Sequence, residues 1–273
     1  MTTMAHRQVE KEQSLQNVTA NGWRRGLGNL FRKEIGEWFG TRKWLVQIII
    51  WLLLVNGIIT IILVTESSNG TVVIEDFAGE VISAFLQMVM IMVGIGLVIS
   101  LQGAIVGEKQ LGTAAWVMSK PASRQAFIVA KAAANIIGFG LTAVLVPTVV
   151  FLLESQFLVP LPIQVAPFLA GMAVVALSLL FYLTLSLMLG TLFNGRGPIA
   201  GIGIGLLLAG QIGQGLVPQE IQLITPWPLA DIAAGLGTNQ PLPDIWPIPV
   251  VACAVWIVNF SAVGLWRFGQ EEF

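Results

Sequence analysis

Long uncharged stretches alternate with short polar segments along the whole chain. A helix rises 1.5 Å per residue, so about 20 apolar residues cross the roughly 30 Å hydrocarbon core of a bilayer. Six stretches reach this length: residues 44–64, 81–106, 127–153, 168–193, 198–216 and 247–266. An isolated open strand leaves its backbone unpaired in lipid, and these stretches are too long and uniform for barrel strands. The pattern therefore predicts an all-α polytopic membrane protein with six transmembrane helices.

The segment before the first span has an amphipathic pattern. Residues 23–43 place apolar side chains at helical spacing, with charged side chains between them. The apolar positions are Leu27, Leu30, Phe31, Ile35, Trp38 and Phe39, and the charged ones include Lys33 and Glu34. This spacing favours an interfacial helix along the inner membrane surface, with Trp38 as an anchor. The alternative is a plain basic juxtamembrane anchor.

These two patterns predict the domain organisation. Residues 1–22 form a flexible cytoplasmic tail, 23–43 the interfacial helix, 44–267 the six-helix domain and 268–273 a second cytoplasmic tail. The first tail has no apolar core followed by small residues, so no cleavable signal is expected. Residues 217–246 are too polar and proline-rich to cross the membrane. They either dip into the outer leaflet as short helices or pack on the ends of neighbouring helices.

Composition supports the membrane interpretation. Of the 273 residues, 55% are hydrophobic and only 11% are charged, whereas soluble domains have about 25% charged residues. The net charge of −1 favours neither an acidic nor a basic partner, and no nucleic-acid partner is expected. Cys253 is the single cysteine, so an intrachain disulfide is excluded. The lipid bilayer is therefore the one partner that composition predicts.

The distribution of charge predicts which loops face the cytoplasm. All 14 Lys and Arg residues fall before the first span, around the junction of the second and third spans, between the fourth and fifth spans, or after the sixth. The other three loops carry acidic residues: Glu66, Glu75, Asp76, Glu80, Glu154, Glu220, Asp231 and Asp244. Because cytoplasmic loops are enriched in Lys and Arg, both termini are expected in the cytoplasm of a plasma-membrane protein.

The spans lack the residues that catalysis or ion coupling would require. Transporters bind coupling ions with charged side chains inside the bilayer, but no charge is predicted near the centre of any span. Lys131 is expected in the first turn of the third span, from where its side chain can reach back to the inner surface. The chain offers no histidine–carboxylate set for zinc and no Ser/His/Asp set for acyl transfer. We therefore expect no catalytic, cofactor-binding or metal-binding residues, and a chain that is not an enzyme.

Glycine patterns in the chain favour packing over nucleotide binding. GIGIG at residues 201–205 lies inside a predicted span instead of at a strand-to-helix turn. Gly201 and Gly205 form a GxxxG pair, which is typical of close helix packing or of a subunit interface. GEKQLGT at residues 107–113 has the GxxxxG of a phosphate loop but lacks the Lys that must follow.

The loop of residues 107–126 is the largest internal loop on the predicted cytoplasmic side. Residues 112–119 are expected to form a short helix that is more apolar than a solvated linker needs to be. Pro121 and Ser123 mark a turn before Arg124 and the third span. A partner protein is expected to act on this loop, since the spans have no coupling charges of their own. The alternative is a loop whose charges only set the topology.

GEKQLGTAAWVMSKPASRQAFIVAKA, residues 107–132, resembles the signature of type-2 ABC exporter permeases. In that family a Glu and then a Gly-Thr pair precede a short helix, a Pro-x-x-Arg turn and a Lys in the next span. The matching residues are Glu108, Gly112, Thr113, Pro121, Arg124 and Lys131. FRKEIGEWFGTRKW, residues 31–44, is similar to the interfacial helix that opens the family's fold. Lys109 and Gln110 depart from the family's pattern.

The resemblance implies a transmembrane permease subunit that pairs with a second copy or a paralogue and with separate cytosolic ABC ATPase subunits. ATPase coupling is expected at Glu108, Gly112, Thr113, Trp116, Pro121, Arg124 and Lys131, and the interfacial helix contributes Phe31, Lys33, Glu34 and Trp38. ATP and magnesium would bind to the partner subunit and not to this chain. The neutral, apolar spans are compatible with a lipid, drug, peptide or glycolipid that crosses at the permease dimer interface.

Two other functions fit the same sequence. A membrane anchor or force transmitter would use ATPase docking to act on an external protein complex, through residues 65–80 or 217–246. An ATP-independent channel or scramblase would need no ATPase. Activity in vesicles without nucleotide distinguishes this last function from the other two.

Overall fold

The computed structural model describes residues 22–69, 74–119, 122–213 and 216–271. Within these ranges the chain is all-helical, which confirms the predicted fold class. The predicted tail of residues 1–22 lies outside the described residues except for Gly22, and so does Pro121 of the predicted coupling turn.

A short 3-10 turn at Gly22–Arg24 precedes the helices. The helices are α1 (Leu27–Phe39), α2 (Lys43–Glu66), α3 (Asp76–Gln110), α4 (Thr113–Met118), α5 (Arg124–Phe157), α6 (Val165–Leu192), α7 (Arg196–Gly213), α8 (Gln219–Gln222), α9 (Leu229–Gly237) and α10 (Pro247–Gly269). Helical backbone continues beyond α2 to Asn69 and begins at Ile74 before α3. A turn at residues 102–105 separates Val106–Gln110 from the rest of α3.

Five of these helices, α2, α3, α5, α6 and α10, are long and apolar enough to cross a membrane. They correspond to five of the six predicted spans, and the chain is thus a multi-pass membrane protein. The remaining predicted span, residues 198–216, coincides with α7, which has 18 residues and begins at Arg196. The described part of α7 is about 27 Å long at 1.5 Å per residue, and it ends next to residues 214–215, which lie outside the described ranges. Among the described residues the structure therefore supports five candidate spans, and the sixth span stays a prediction.

Helix α6 is the most buried of the five candidate spans and forms the centre of the bundle. It packs along α10 and α9 and also contacts α3, α5 and α7. Three aromatic rings join α3, α5 and α6: the Phe85 and Phe151 rings stack with centroids 4.1 Å apart, and the Phe151 and Phe168 centroids are 5.7 Å apart. Close packing of this kind holds helices together in lipid, where apolar surface is not expelled by water.

The segment between α7 and α10 is folded onto the bundle through α9. This helix packs against α6 and against the beginning of α3. Gly171 of α6 permits the approach, because a Cβ at this position would lie 2.6 Å from the carbonyl oxygen of Ala233. Residues 217–246 thus form short helices, one of which packs on neighbouring helices, and whether they enter the outer leaflet stays a prediction.

Three of the candidate spans contain a π-helical segment. The segments are Leu52–Asn56 in α2, Val89–Val93 in α3 and Gly140–Leu145 in α5. The segment in α3 contacts the other two, so all three lie at a similar depth in the bundle. A π segment accommodates an extra residue in an α-helix and is frequent at functional sites.

Candidate functional site

The candidate site lies at the end of the bundle where α2 begins, α3 ends and α5 begins, which we call the basic end. Trp38 fixes α1 on α5 at this end. The Trp38 ring packs over Gly138, and a Cβ at that position would overlap the ring. Its Nε1 donates a hydrogen bond to Asn135 Oδ1 at 3.2 Å, and its ring meets Phe139 edge-on with centroids 5.0 Å apart. Trp38 is buried by these contacts, so α1 is attached to protein along this face.

Glu34 lies on the same buried face of α1, one turn before Trp38, and pairs with Lys131 of α5. Lys131 Nζ lies 3.0 Å from both carboxylate oxygens of Glu34 and 2.7 Å from Glu108 Oε1. The Lys131 side chain is only 4% exposed. Protein groups therefore enclose the ammonium group of Lys131, and its expected reach to the inner membrane surface stays a prediction. Lys131 stands in the second turn of α5, where two carboxylates enclose its ammonium group.

Lys33 completes the cluster from the solvent side. Its Nζ lies 3.0 Å from Glu108 Oε1 and 3.4 Å from a carboxylate oxygen of Glu34 and of Glu37. Burial alone would lower the pKa of the Lys33 ammonium group. The hydrogen bond to Glu108 and the charges of Glu108, Glu34 and Glu37 outweigh burial, so the pKa of Lys33 is raised and the group stays charged.

We call Lys33, Glu34, Glu108 and Lys131 the ion network. Its two carboxylates and two ammonium groups balance in charge and come from α1, α3 and α5. Desolvation makes buried ions costly, but removal of one partner leaves another charge buried and uncompensated, which typically costs about 3–5 kcal/mol. The ion network pairs each of its charges with an opposite charge. It acts as an electrostatic clamp between three helices.

The carboxylates of Glu34, Glu37 and Glu108 are close enough to consider a metal site, since one oxygen of each lies within 4.8 Å of the others. Lys33 Nζ is within 3.4 Å of all three carboxylates. A lysine ammonium therefore occupies the position that a cation would take. The ion network explains the acidic cluster without a metal.

The loop after Glu108 carries the short helix α4. Gly112 begins it with φ of 68°, a left-handed conformation that glycine adopts readily. The hydroxyl of Thr113 donates a hydrogen bond to the carbonyl oxygen of Glu108 at 3.2 Å. Ala114 and Val117 are buried against the bundle. One face of α4 is thus fixed to the protein, close to the ion network.

The opposite side of this loop is apolar and faces outward. Leu111 is 80% exposed and Trp116 is 62% exposed. Exposed large apolar side chains are typical of surfaces that contact a partner or the membrane. The loop therefore offers a small apolar surface beside the charged residues of the basic end.

The end of α10 is also tied to this loop. Lys109 Nζ lies 2.9 Å from Glu271 Oε1, and Arg124 donates a hydrogen bond to the carbonyl oxygen of Gly269 at 2.7 Å. Phe268 is buried and its ring stacks on Phe127 with centroids 5.0 Å apart. The described part of the predicted tail, residues 268–271, is thus bound to the beginning of α5.

The structure brings together residues that the sequence placed in two separate groups. Glu108 and Lys131, from the predicted coupling set, meet Lys33 and Glu34 from the predicted interfacial helix. The other described residues of these sets lie around this cluster: Gly112, Thr113 and Trp116 in and before α4, Arg124 at the start of α5, and Phe31 and Trp38 on α1. Phe31 packs at the edge of the core without joining the ion network.

Two features of the site were not predicted from the sequence: the buried position of Glu34 and the contribution of Asn135. Glu34 was placed among the charges of the polar face, yet Leu30, Glu34 and Trp38 share one helical stripe at intervals of four residues. Asn135 follows Lys131 by one turn, and its Nδ2 donates a hydrogen bond to the Lys131 carbonyl oxygen at 2.8 Å. Four-residue spacing from a motif residue was the available signal in both cases.

A cavity of about 480 Å³ lies beside the ion network. Its wall includes Lys43 at the beginning of α2 and Arg196 at the beginning of α7. Arg196 runs along α3, where a Cβ at Gly103 would lie 3.2 Å from Arg196 Nε. The cavity therefore sits at the basic end with cationic groups on two sides.

The predicted packing pair Gly201 and Gly205 has no partner within the described part of the chain. A Cβ at either position would have no neighbour within 4 Å. Close packing of α7 uses other glycines: Gly203 faces Val98 and Gly210 faces Trp227. Packing of Gly201 and Gly205 inside the chain is therefore wrong, and the subunit-interface alternative stays a prediction.

The opposite end of the bundle has its own polar cluster around Glu154. The sequence assigned Glu154 to a loop, but it lies within α5, near the end of that helix. Thr60 Oγ1 donates a hydrogen bond to Glu154 Oε1 at 2.9 Å, and Asn56 Nδ2 donates one to Glu154 Oε2 at 3.2 Å. These bonds connect α5 to α2 without any cation.

Comparison with protein-family models gives no match for this chain, and comparison with curated proteins gives none either.

Proposed function

We propose that this chain is the permease subunit of a type-2 ABC exporter, and that residues 107–126 dock it on a separate cytosolic ATPase. The observation that carries the proposal is the contact of Glu108 with Lys131 at 2.7 Å and with Lys33 at 3.0 Å. Glu108 comes directly before the loop, and its partners belong to α5 and α1. A force applied to the loop therefore acts on two helices of the bundle through ion pairs.

The outward side of the loop supports docking. Leu111 and Trp116 are exposed, while Ala114 and Val117 hold the same short helix on the bundle. An ATPase can drive a permease only if its open and closed states contact the loop differently, because coupling is a difference in interaction free energy. A short helix that is anchored on one face and exposed on the other suits this role.

The proposed topology has six spans, with α7 as the fifth and both termini in the cytoplasm of a plasma-membrane protein. Its support is the charge pattern: Lys43, Lys109, Arg124, Arg196 and Arg267 all lie at or near helix termini at the basic end. Lys and Arg are enriched on the cytoplasmic side of membrane proteins. Helix α1 then lies along the inner membrane surface, with its buried face on α5.

The proposed assembly contains a second permease copy or a paralogue and ATPase subunits that bind ATP and magnesium. Gly201 and Gly205 lie on an exposed face of α7, and a GxxxG pair allows another helix to approach closely. This chain contributes the membrane path and the docking loop, without chemistry of its own.

The docking proposal is tested by co-expressing the chain with candidate ABC ATPases and purifying it through an affinity tag. Leu111→Asp and Trp116→Asp remove the exposed apolar surface without touching the ion network. We expect the wild-type chain to retain one ATPase and the double variant to lose it. Phe157→Asp is the matched control, because Phe157 is 79% exposed at the opposite end of the bundle.

Retention of the ATPase by the double variant at the wild-type level would contradict docking through this loop. The failure of every co-expressed ABC ATPase to copurify with the wild-type chain would contradict the permease proposal itself.

Sidedness has its own test in a Cys253→Ser background. Single cysteines are placed at Asn69 and at Gln110, at opposite ends of the bundle. We expect an impermeant thiol reagent to label the first from outside intact cells and the second only after permeabilisation. Labelling of both from the same side would contradict the topology.

A further inference from the structure

The cavity beside the ion network contains two cationic side chains that the network does not neutralise. Lys43 and Arg196 make no ion pair within the described part of the chain. The ammonium group of Lys43 lies 4.1 Å from the centre of the Trp38 ring, in a cation–π contact. Both side chains line the same cavity of about 480 Å³.

Two glycines of α3 let the Arg196 side chain of α7 lie close along that helix. A Cβ at Gly103 would lie 3.2 Å from Arg196 Nε, and one at Gly107 would lie 3.5 Å from the guanidinium. A side chain at Gly103 would crowd the arginine, so glycine at this position lets it lie close along the helix. The guanidinium is thereby held at the wall of the cavity although the residue as a whole is exposed.

The charge and location of the cavity define its ligand. Four cationic side chains and three carboxylates line it, which leaves a surplus of one positive charge. The cavity lies where α2 and α7 begin and α3 ends, and its wall includes the apolar Leu101 and Ala104. Basic pockets between membrane helices bind lipid headgroups, and an arginine guanidinium matches the geometry of a phosphate.

We propose that this cavity binds a phosphate group through Arg196 and Lys43, carried either by a phospholipid headgroup or by a free phosphate ion. The cavity shares Leu111 with the exposed side of the loop, but its phosphate-binding groups, Arg196 and Lys43, lie on α7 and α2, so phosphate binding does not depend on ATPase docking. A bound phosphate bridges α7 and α2 beside the ion network. It thereby ties α7, which the ion network does not reach, to the beginning of α2.

The test measures binding to the purified chain in detergent by isothermal titration calorimetry. The ligands are a short-chain phosphatidylglycerol below its micellar concentration, the matching diacylglycerol without phosphate, and inorganic phosphate. We expect saturable binding of a phosphate-containing ligand and an affinity at least about tenfold lower in the Lys43→Gln/Arg196→Gln variant. Arg32→Gln removes an exposed arginine outside the cavity and serves as the matched control.

Gly103→Val supplies a second variant that keeps both charges but displaces Arg196, and it is expected to weaken binding as well. Thermal unfolding of each variant shows that it is folded. Binding of phosphatidylglycerol alone assigns the site to a lipid headgroup, whereas equal binding of inorganic phosphate assigns it to the free ion. Equal affinity in the wild type and the double variant, the same loss in Arg32→Gln, or equal binding of the diacylglycerol would overturn the proposal.

Discussion

At the basic end of the bundle two carboxylates and two ammonium groups pair with one another, whereas at the opposite end the described partners of Glu154 are the neutral donors of Thr60 and Asn56. Both clusters attach α5 to earlier helices. The ion network is largely buried, with the Lys131 side chain 4% exposed, while Glu154 is half-buried. The same helix is thus held by charge at one end and by ordinary hydrogen bonds at the other.

The difference shows where the bundle is rigid and where it can move. Loss of a partner from a buried ion pair leaves an uncompensated charge, whereas hydrogen bonds between membrane helices average well below that cost. Helices α1, α3 and α5 are therefore expected to move as one body at the basic end. The hydrogen bonds to Glu154 are expected to cost less to break, so they hold α2 and α5 together less firmly at the other end.

The largest effect is expected from Lys131→Met, which removes the cation between Glu34 and Glu108. We expect a loss of about 3–5 kcal/mol in the free energy of unfolding, because both carboxylates keep their burial and lose their shared partner. Denaturant unfolding in detergent measures this loss. The exposed Arg32→Gln is the control, with an expected change within about 0.5 kcal/mol. An equally small change in Lys131→Met would show that the ion network is not a clamp.

The next effect comes from combining Lys131→Met with Glu34→Gln. The double variant removes one charge of each sign, so Glu108 keeps Lys33 as its partner. We expect the double variant to be about 2 kcal/mol more stable than the sum of the two single effects would predict. Unfolding of all four proteins in the same detergent gives this coupling energy, and additive single effects would contradict a direct interaction.

The smallest effect is expected from Glu154→Gln at the opposite end. Glutamine offers one carbonyl oxygen in place of two carboxylate oxygens, so one of the bonds from Thr60 and Asn56 is lost. We expect a loss of about 1 kcal/mol in the free energy of unfolding. A loss as large as that of Lys131→Met would remove the distinction between the two ends.

Much of the fold could be predicted because the bilayer imposes a simple rule on length and hydropathy. Five predicted spans correspond to α2, α3, α5, α6 and α10. The rule is weaker for α7, where glycines and two polar ends reduce the apolar content. Packing of residues 217–246 could not be decided from the sequence, because it depends on the close approach of Ala233 to Gly171, which are far apart in the chain.

The residues of the candidate site could be predicted from the sequence, but the contacts between residues of different helices could not. Glu108 and Lys131 stood out through the resemblance of residues 107–132, and Glu34 through that of residues 31–44, but their pairing is a tertiary contact. Periodicity places a carboxylate on a helical stripe without showing that a lysine from another helix faces it. In the sequence Arg196 contributes only to the predicted topology, because its cavity forms only when α7 lies on α3.

The π-helical segment Gly140–Leu145 sets the angular phase of α5. At about 100° per residue, Lys131 and Glu154 would point about 140° apart on an uninterrupted α-helix. Absorbing one residue reduces this angle to about 40°, so both side chains turn toward the first helices of the chain. A single added residue in the middle of α5 thus places both of its polar contacts on the same side of the helix.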